Sequence, residues 1–426
     1  MDILRGISGT VVFLGVAWVL SINHRRFPLR TVLGGLALQW ALALAVLRTD
    51  LGRDIFSTMA SMVNFLLEAT TAGAQFVLGN LVEVRSDSWG MVFAATALPS
   101  IIVFSSLSAL GYHLGILQFL VGVMARVMRK LMGVSGAESL SAAGNVFLGQ
   151  TEAPLLVRPY IPKMTESELM ALMVGGFATI SAGVMASYVA ILGGDDPARR
   201  IEVARHFLTA VLMSAPASFV IAKIMVPETQ TPQTADTVRL DVEKKTTNVV
   251  HAAAVGAADG MKLALNVGAM LIAFIALIAV IDKLLILLGG LSWVAPLVER
   301  MGLEQLDLAG VLGLVFSPIA YLIGVEPADC RALGSLLGTA MATNEFVAYL
   351  SLGEMMREGV VNDRTVRLAT YCLCGFANFS SIAIQIAGIG GIAPGRRGDL
   401  ARLGMRAMFG GALACWMTGC IAGILT

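Results

Sequence analysis

The stretch GNVFLGQTEAPLL, from Gly144 to Leu156, places four polar residues inside apolar sequence. Gly149 tolerates unusual backbone angles, whereas Pro154 lacks a backbone donor and stops a helix. If the flanking sequence lies in a membrane, a charged residue such as Glu152 costs about 2.5–3.5 kcal/mol at its centre. Non-helical backbone is tolerated there only when it is buried in protein or lines a wet cavity. The stretch therefore predicts the tip of a re-entrant hairpin of two half-length helices, over roughly 137–162, that contributes to a functional site.

The composition indicates that the flanking sequence does lie in a membrane. Of 426 residues, 57% are hydrophobic and 14% are charged, which is too little charge to cover a soluble protein of this size. A spanning helix needs about 20 mostly apolar residues, so an all-α polytopic membrane protein is expected. The net charge of +1 excludes nucleic acid as a main partner. Runs without Asp, Glu, Lys or Arg cover 88–125, 169–194, 263–281, 369–395 and 407–426.

Eight spans are predicted, near 7–22, 31–47, 90–112, 168–193, 204–225, 255–283, 366–393 and 404–425. The basic loops NHRRFPLR and GRRGDLARLGMR are expected in the cytoplasm, which places both termini outside. Apolar residues recur at helical spacing from Ile55 to Leu66 within a more polar segment, which favours a helix lying on the interface. The stretch VPETQTPQTADTVRLDVEKKTTN is interpreted as a solvated loop.

The pattern of the opening stretch recurs in the second half of the chain. LLGTAMATNEFVAYL places Asn344 and Glu345 in a second segment, roughly 327–355, that is too interrupted to cross once. Each broken segment is followed by a span with helix-weakening residues, ATISAGVMASY in the first half and CGFANFSSIAIQIAGIGG in the second. Corresponding interruptions in two halves point to a midplane site between inverted repeats.

At these residues the chain resembles the concentrative nucleoside transporters. GNVFLGQTEAPLLVRPYI resembles the first-hairpin signature of that family, and NEFVAYL with CGFANFSSIAI resembles its second half. SINHRRFPLRTVLGGLALQ is similar to the first loop, so the resemblance covers nearly the whole chain. One departure is Ala340, where the family often has a lysine.

The resemblance implies roles for individual residues. Gln150, Thr151 and Glu152 would face the nucleobase, with Val184 packing against it. Glu345, Asn378 and Ser381 would bind the ribose hydroxyls, and Phe376 would line the pocket. Sodium would be coordinated by the side chains of Asn145 and Thr179 and by the backbone carbonyls of Leu148 and Ile180.

The resemblance also implies a homotrimer in the lipid of the bacterial inner membrane, with a scaffold holding a mobile transport domain. Residues 1–130 are then expected to form mainly scaffold spans and the interfacial helix, and 131–226 the first half of the transport domain. Residues 227–300 would hold the polar loop, an interfacial helix and a scaffold span, and 301–426 the second half. The implied activity is sodium symport of nucleosides, both uridine-like and purine.

Three alternatives remain open at this point. Glu152 or Glu345 could take up a proton, which would make the carrier proton-coupled. An intramembrane enzyme could use the two glutamates as an acid–base pair, but no His or Cys accompanies either of them as a nucleophile or metal ligand. A channel would conduct without coupling, whereas broken inverted repeats favour alternating access.

Overall fold

The computed structural model describes residues 2–82, 92–234 and 246–426, and within these ranges it contains helices and connecting turns but no strand. The start of the span predicted at 90–112 and much of the predicted solvated loop lie outside the described residues. The first nine α-helices are α1 Asp2–Val19, α2 Leu29–Arg48, α3 Asp50–Leu78, α4 Phe93–Thr96, α5 Leu98–His113, α6 Ile116–Met132, α7 Gly136–Asn145, α8 Glu166–Phe177 and α9 Ala182–Gly193. The others are α10 Pro197–Met225, α11 Val249–Gly289, α12 Ala295–Arg300, α13 Leu308–Ile323, α14 Cys330–Ala342, α15 Glu345–Arg357, α16 Asp363–Cys372, α17 Phe379–Ile392 and α18 Arg397–Leu425.

Seven helical segments in the described ranges are long and apolar enough to cross a membrane. Six of them correspond to predicted spans, which confirms the prediction of a polytopic all-α membrane fold. The predicted span 7–22 is found as α1, whose apolar part is slightly shorter than a full crossing. The predicted span 366–393 is interrupted, as its sequence suggested, and forms α16 and α17. The seven segments are Leu29–Arg48, Asp50–Val82, Ala94–His113, Glu166–Gly193, Pro197–Met225, Val249–Gly289 and Pro394–Leu425.

The remaining segment, Asp50–Val82, is the one for which the sequence favoured an interfacial helix. α3 has 29 residues, and a short 3-10 turn, Gly79–Val82, extends it. This length exceeds the roughly 20 residues that a crossing requires. The polar residues that suggested an interfacial position are spread through a helix that is still apolar enough to span. Its length therefore argues for a crossing instead of the interfacial position.

Two of the longer helices, α6 and α13, were absent from the sequence prediction. The charge-free run 88–125 suggested one span, but Gly115 turns the chain with φ at +81°, and α6 begins directly after it. α13 has 16 residues and ends before Gly324, whose φ is +102°. Both glycines adopt the left-handed conformation that other residues disfavour, which ends the preceding helix.

Each of the two broken segments forms two short arms that pack against each other. In the first, α7 ends at Asn145 and the chain continues through two 3-10 turns, Ala153–Val157 and Ile161–Lys163. The expected second α-helical arm is absent because Pro154, Pro159 and Pro162 remove the backbone donors that it would need. In the second, α14 and α15 are both α-helical and are separated only by residues 343–344.

The apolar helices differ strongly in burial. α8, α9, α10 and α18 are almost entirely buried, whereas the apolar length of α11 is almost entirely exposed. α10 packs against α2, α3, α8, α9 and α18, so it lies at the centre of the buried group. α1 and α2 also pack against α18. This packing places α1 and α2, which were predicted for the scaffold, in contact with α10 and α18, which were predicted for the transport domain.

Candidate functional site

Two interrupted spans cross at their interruptions. Residues 178–181 separate α8 from α9, and residues 373–378 separate α16 from α17. Gly375 touches the first break, since a Cβ atom placed on it would lie 2.5 Å from the carbonyl oxygen of Phe177. A side chain at this position would force the two spans apart. A glycine thus allows the two breaks of the repeated pattern to meet.

Three helix N-termini border the cavity next to this crossing. Ser181 caps α9, Asn344 caps α15 and Asn378 caps α17, each by accepting a backbone N–H of the helix that it begins. All three capping residues line the cavity. A helix N-terminus carries a partial positive charge and unpaired N–H groups. The arrangement therefore suits a ligand that presents hydrogen-bond acceptors or partial negative charge.

The cavity has a volume of about 1420 Å³. One wall comes from the tip of the first broken segment, the two breaks and the start of α15, and the other comes from α5 and α11. The structure brings together in this cavity every residue that was predicted to contact substrate. These residues are Gln150, Thr151, Glu152, Val184, Glu345, Phe376, Asn378 and Ser381.

Glu345 is held by two donors. Its side chain is buried, the hydroxyl of Tyr188 donates to Oε1 at 3.0 Å, and Nδ2 of Asn378 donates to Oε2 at 2.8 Å. Asn378 is itself fixed, because its Oδ1 accepts from the backbone N–H of Ser381 at 2.8 Å and from the hydroxyl of Ser380 at 2.7 Å. Each carboxylate oxygen can accept more than one hydrogen bond. Both oxygens of Glu345 therefore keep acceptor capacity for donors in the cavity.

Gln150 belongs to a second polar cluster on the same wall of the cavity. Its Nε2 donates to Oγ of Ser381 at 3.3 Å, and its Oε1 accepts from Nε2 of Gln385 at 3.1 Å. Glu152 lies two residues further on, with its side chain exposed to the cavity and Oε2 accepting from the backbone N–H of Gly149 at 3.3 Å. Ser381 thus connects the Gln150 cluster to the Asn378–Glu345 cluster.

The four predicted sodium residues lie at the end of the first arm and in the first break. Asn145 ends α7 and is buried, and its Oδ1 has no hydrogen-bond partner among the described residues. Thr179 Oγ1 donates to the Gly175 carbonyl at 2.8 Å, which leaves the lone pairs of the hydroxyl oxygen available. Gly175 also allows α7 and α8 to approach closely, since a Cβ atom on it would lie 3.1 Å from Nδ2 of Asn145. Ile180 is buried in the break, and Leu148 lines the cavity.

The described ranges contain no group of three or more His, Cys, Asp or Glu side chains that could hold a metal ion. The oxygen atoms near Asn145 and Thr179 belong to an amide, a hydroxyl and backbone carbonyls. Such neutral hard donors suit an alkali cation at an unwound helix end, whereas transition metals favour imidazole and thiolate ligands. The chemistry of this place therefore fits a sodium ion.

Several residues that line the cavity, or that hold the residues lining it, were not found from the sequence. Tyr188 occurs in the stretch ATISAGVMASY, but its contact with a residue 157 positions away has no local signal. The far wall of the cavity did have a signal in the sequence. Ser105, Ser108 and Tyr112 recur at helical spacing on an otherwise apolar span, and all three line the cavity. Asn266 on α11 lines it as well. Gln385 was noted as a polar residue of a broken span, without a role.

Comparison with known families matches almost the full chain. Residues 8–81 match the family described as "Na+ dependent nucleoside transporter N-terminus", and residues 206–423 match "Na+ dependent nucleoside transporter C-terminus". Residues 94–195 match a family described as "Nucleoside recognition".

Similar proteins occur in bacteria and in animals. An uncharacterized transporter of Haemophilus influenzae is 44% identical over 429 residues, covering 100% of this chain and 98% of that protein. Human solute carrier family 28 member 3 is 36% identical and covers 99% of this chain, which spans 60% of the human protein. Mouse sodium/nucleoside cotransporter 1 is also 36% identical, with 99% of this chain and 64% of that protein covered.

Solved structures of the transporter CNTnw share the fold at 38% sequence identity. The inward-facing substrate-bound state has a TM-score of 0.89 and covers 100% of this chain and 98% of that one. A doubly substituted form in an outward-facing state has a TM-score of 0.90 with the same coverage.

Proposed function

This chain belongs to the Na+-dependent nucleoside transporter family, whose members include the concentrative nucleoside transporters, and we propose that it is a sodium symporter that imports nucleosides across the bacterial inner membrane. Its relatives and structural neighbours are transporters, which confirms the prediction that the protein is not an enzyme. CNTnw has inward-facing, outward-facing and intermediate states, which supports alternating access as the mechanism.

The observation that carries this proposal is the pair of polar clusters around Ser381. On one side, Glu345 is an acceptor held by Tyr188 and Asn378, and on the other Gln150 offers an amide. A nucleoside is uncharged and has hydroxyl donors at one end and a base with donors and acceptors at the other. The site must therefore match hydrogen bonds instead of neutralising a charge.

Glu345 and Asn378 would bind the ribose in this proposal. An ionised carboxylate only accepts hydrogen bonds, and the sugar hydroxyls can donate to it. Each oxygen of Glu345 already accepts one hydrogen bond, so one further donor per oxygen suits two neighbouring hydroxyls. A substrate without one of them would leave a buried acceptor unpaired, which rejects deoxy analogues.

The base would lie against the tip of the first broken segment. Gln150, Thr151 and Glu152 supply polar groups there, while Val184 and Phe376 supply apolar surface. The amide of Gln150, the hydroxyl of Thr151 and the carboxyl of Glu152 together offer donors and acceptors that can meet pyrimidines and purines at different edges. We therefore expect uridine to be transported, and purine nucleosides as well.

Sodium would be the second transported substrate. Asn145 and Thr179, with carbonyls of Leu148 and Ile180, lie where α7 ends and α8 breaks, and Leu148 is two residues from Gln150. An ion bound there would order the tip that also contacts the base. The two ligands would then raise each other's affinity by the same factor.

The arrangement during transport is also part of the proposal. We propose that the two broken segments are re-entrant hairpins in a transport domain that moves against a scaffold containing α5 and α11. The α5–α11 wall faces the hairpin tips across the cavity, which supports this division. The exposed apolar residues along α11, such as Ile272 and Leu287, suit either lipid or neighbouring subunits of a homotrimer.

Uptake of radiolabelled uridine into proteoliposomes tests the function. An inward sodium gradient should drive accumulation, and choline in place of sodium should abolish it. Accumulation driven instead by a proton gradient would keep the nucleoside but move the coupling to a carboxylate. Absence of uptake of uridine, cytidine or adenosine under either gradient would refute the proposed substrate.

A further inference from the structure

Gln385 is a buried amide behind the cavity and does not line it. It lies on α17, one turn after Ser381, and its Nε2 contacts two acceptors. One is the backbone carbonyl of Met173 on α8, at 3.1 Å, and the other is Oε1 of Gln150, also at 3.1 Å. Its own Oε1 is buried without a hydrogen-bond partner in the described residues. Both hydrogen bonds of this amide are therefore bonds that it donates.

These contacts determine which way both amides face. A backbone carbonyl can only accept, so Gln385 must turn its Nε2 toward Met173. The second hydrogen of that nitrogen points to Gln150, which must accept it with its carbonyl oxygen, Oε1. The Nε2 group of Gln150 is then left on the side of Ser381 and the cavity, where it donates to Oγ at 3.3 Å. The orientation follows from a fixed backbone atom and not from the substrate.

The packing around the two amides is tight. A Cβ atom on Gly176 would lie 2.8 Å from Nε2 of Gln385 and 3.0 Å from Cβ of Gln150. The close approach of α8 therefore confines both side chains, and an amide that is confined in this way cannot turn over without breaking its bonds. A buried donor or acceptor left unpaired costs about 1–3 kcal/mol.

We propose that Gln385 is a specificity-determining positioning residue, which fixes the amide of Gln150 so that it presents an N–H donor to the base. The inference rests on the proposed function and deepens it. A fixed donor favours bases with a carbonyl acceptor at the contacted edge. In this proposal the contacted edge includes position 4 of the pyrimidine ring, where uridine has a carbonyl oxygen and cytidine an amino group, so the transporter prefers uridine.

Two substitutions separate orientation from packing. Gln385→Leu removes both donated bonds and frees the Gln150 amide to turn. Gln385→Glu replaces the donor by a group that accepts from Gln150 whether or not it is protonated, because a protonated carboxyl donates its O–H to the Met173 carbonyl. Gln150 then turns its nitrogen inward and its oxygen toward the base. Gln39→Leu is the matched control, since Gln39 is equally buried, also has an unpartnered Oε1, and donates to Thr418 away from the cavity.

The measurement is kcat/KM for uridine and for cytidine, with the full-length protein in proteoliposomes under the same driving gradient. We expect the wild type to prefer uridine, Gln385→Leu to reduce the uridine-to-cytidine ratio by about tenfold, as one lost hydrogen bond implies, and Gln385→Glu to reverse the preference. Gln39→Leu leaves the ratio at the wild-type value. A purely structural defect lowers both rates and leaves the ratio unchanged.

The outcomes distinguish the two proposals. If the wild type transports uridine but does not prefer it to cytidine, or if both Gln385 variants keep the wild-type ratio, the role of Gln385 is overturned and nucleoside transport stands. If one of them loses all uptake, the ratio in the other decides. If the wild type transports neither nucleoside, the proposed function itself fails.

Discussion

Tyr188 and Tyr349 stack on each other with their ring centroids 4.1 Å apart, and their hydroxyls have different partners. Tyr188 donates to Oε1 of Glu345 at 3.0 Å, whereas Tyr349 donates to the backbone carbonyl of Thr370 at 3.3 Å. Both rings are fully buried. The two rings are therefore buried alike, but only Tyr188 contacts the carboxylate that faces the cavity.

Tyr188→Phe should weaken recognition of the ribose while keeping the stacked ring. Without this donor, Glu345 is held only by Asn378 and loses part of its fixed orientation. We expect the KM for uridine to rise about 3- to 10-fold, the range for one hydrogen bond. The KM for 3′-deoxyuridine should change less, so that discrimination between the two narrows. Tyr349→Phe is the control, and an equal narrowing in that variant would contradict the role of Tyr188.

Glu345→Gln should impair transport far more than assembly. The amide replaces one acceptor oxygen by an NH2 group, which either faces the donor Nδ2 of Asn378 or reverses the hydrogen bond with the hydroxyl of Tyr188. Loss of hydrogen bonds to a charged acceptor corresponds to about 10- to 100-fold in kcat/KM for uridine. Size-exclusion chromatography should give the wild-type profile. Glu354→Gln, an exposed change on the same helix, should leave uptake unaffected. Normal uridine uptake by Glu345→Gln would refute the assignment of ribose to this residue.

Asn145→Ala and Thr179→Ala should weaken the dependence on sodium. Both residues provide a buried oxygen with free acceptor capacity at the junction of α7 and the first break. We expect the sodium concentration for half-maximal uptake to rise about tenfold, equivalent to about 1.4 kcal/mol, with residual uridine binding at saturating sodium. The control is Asn64→Ala on α3, where the Oδ1 atom is also buried without a partner but lies away from the cavity. An unchanged sodium response in both site variants would remove them as ligands.

The interruptions of the fold could be predicted because their signals are local. Gly, Ser and Asn weaken a helix wherever they cluster, and the breaks lie within the stretches ATISAGVMASY and CGFANFSSIAIQIAGIGG that carry them. The positions at which spans begin and end within continuous apolar sequence could not be predicted. The turn at Gly115 between α5 and α6 has nothing in the flanking composition to distinguish it from a glycine inside a span.

For the site, the sequence predicted eight of the residues that line the cavity, but neither its far wall nor how those eight residues are held. The eight substrate residues came from motifs, and motifs keep their chemistry together in the chain. Tyr188 and Gln385 act across 157 and 235 positions, and only the packing of α9 against α15, and of α17 against the tip of the first broken segment, brings those partners together. Such positioning contacts depend on tertiary structure, and no periodicity of a single segment encodes them.

A buried cluster around Lys223, away from the cavity, should contribute strongly to the thermal stability of the protein. Nζ of Lys223 at the end of α10 lies 2.6 Å from Oε2 of Glu138 on α7 and donates to the hydroxyl of Ser167 on α8 at 3.0 Å. Glu138 and Glu168 also complete capping boxes at the starts of α7 and α8. One lysine therefore joins the beginnings of two helices to the end of a third.

Lys223→Met should lower the thermal stability strongly. Glu138 would remain buried and charged without its partner, and breaking a buried pair in this way costs about 3–5 kcal/mol. Lys262→Met removes the exposed pair with Asp259, which is worth about 0–1 kcal/mol, and should leave the melting temperature almost unchanged. The double change Glu138→Gln with Lys223→Met should recover part of the loss, because glutamine can complete a capping box and leaves no buried charge. Thermal unfolding of the purified protein in detergent measures all three. A double variant no more stable than Lys223→Met would show that the lost lysine acts through packing and not through the uncompensated carboxylate.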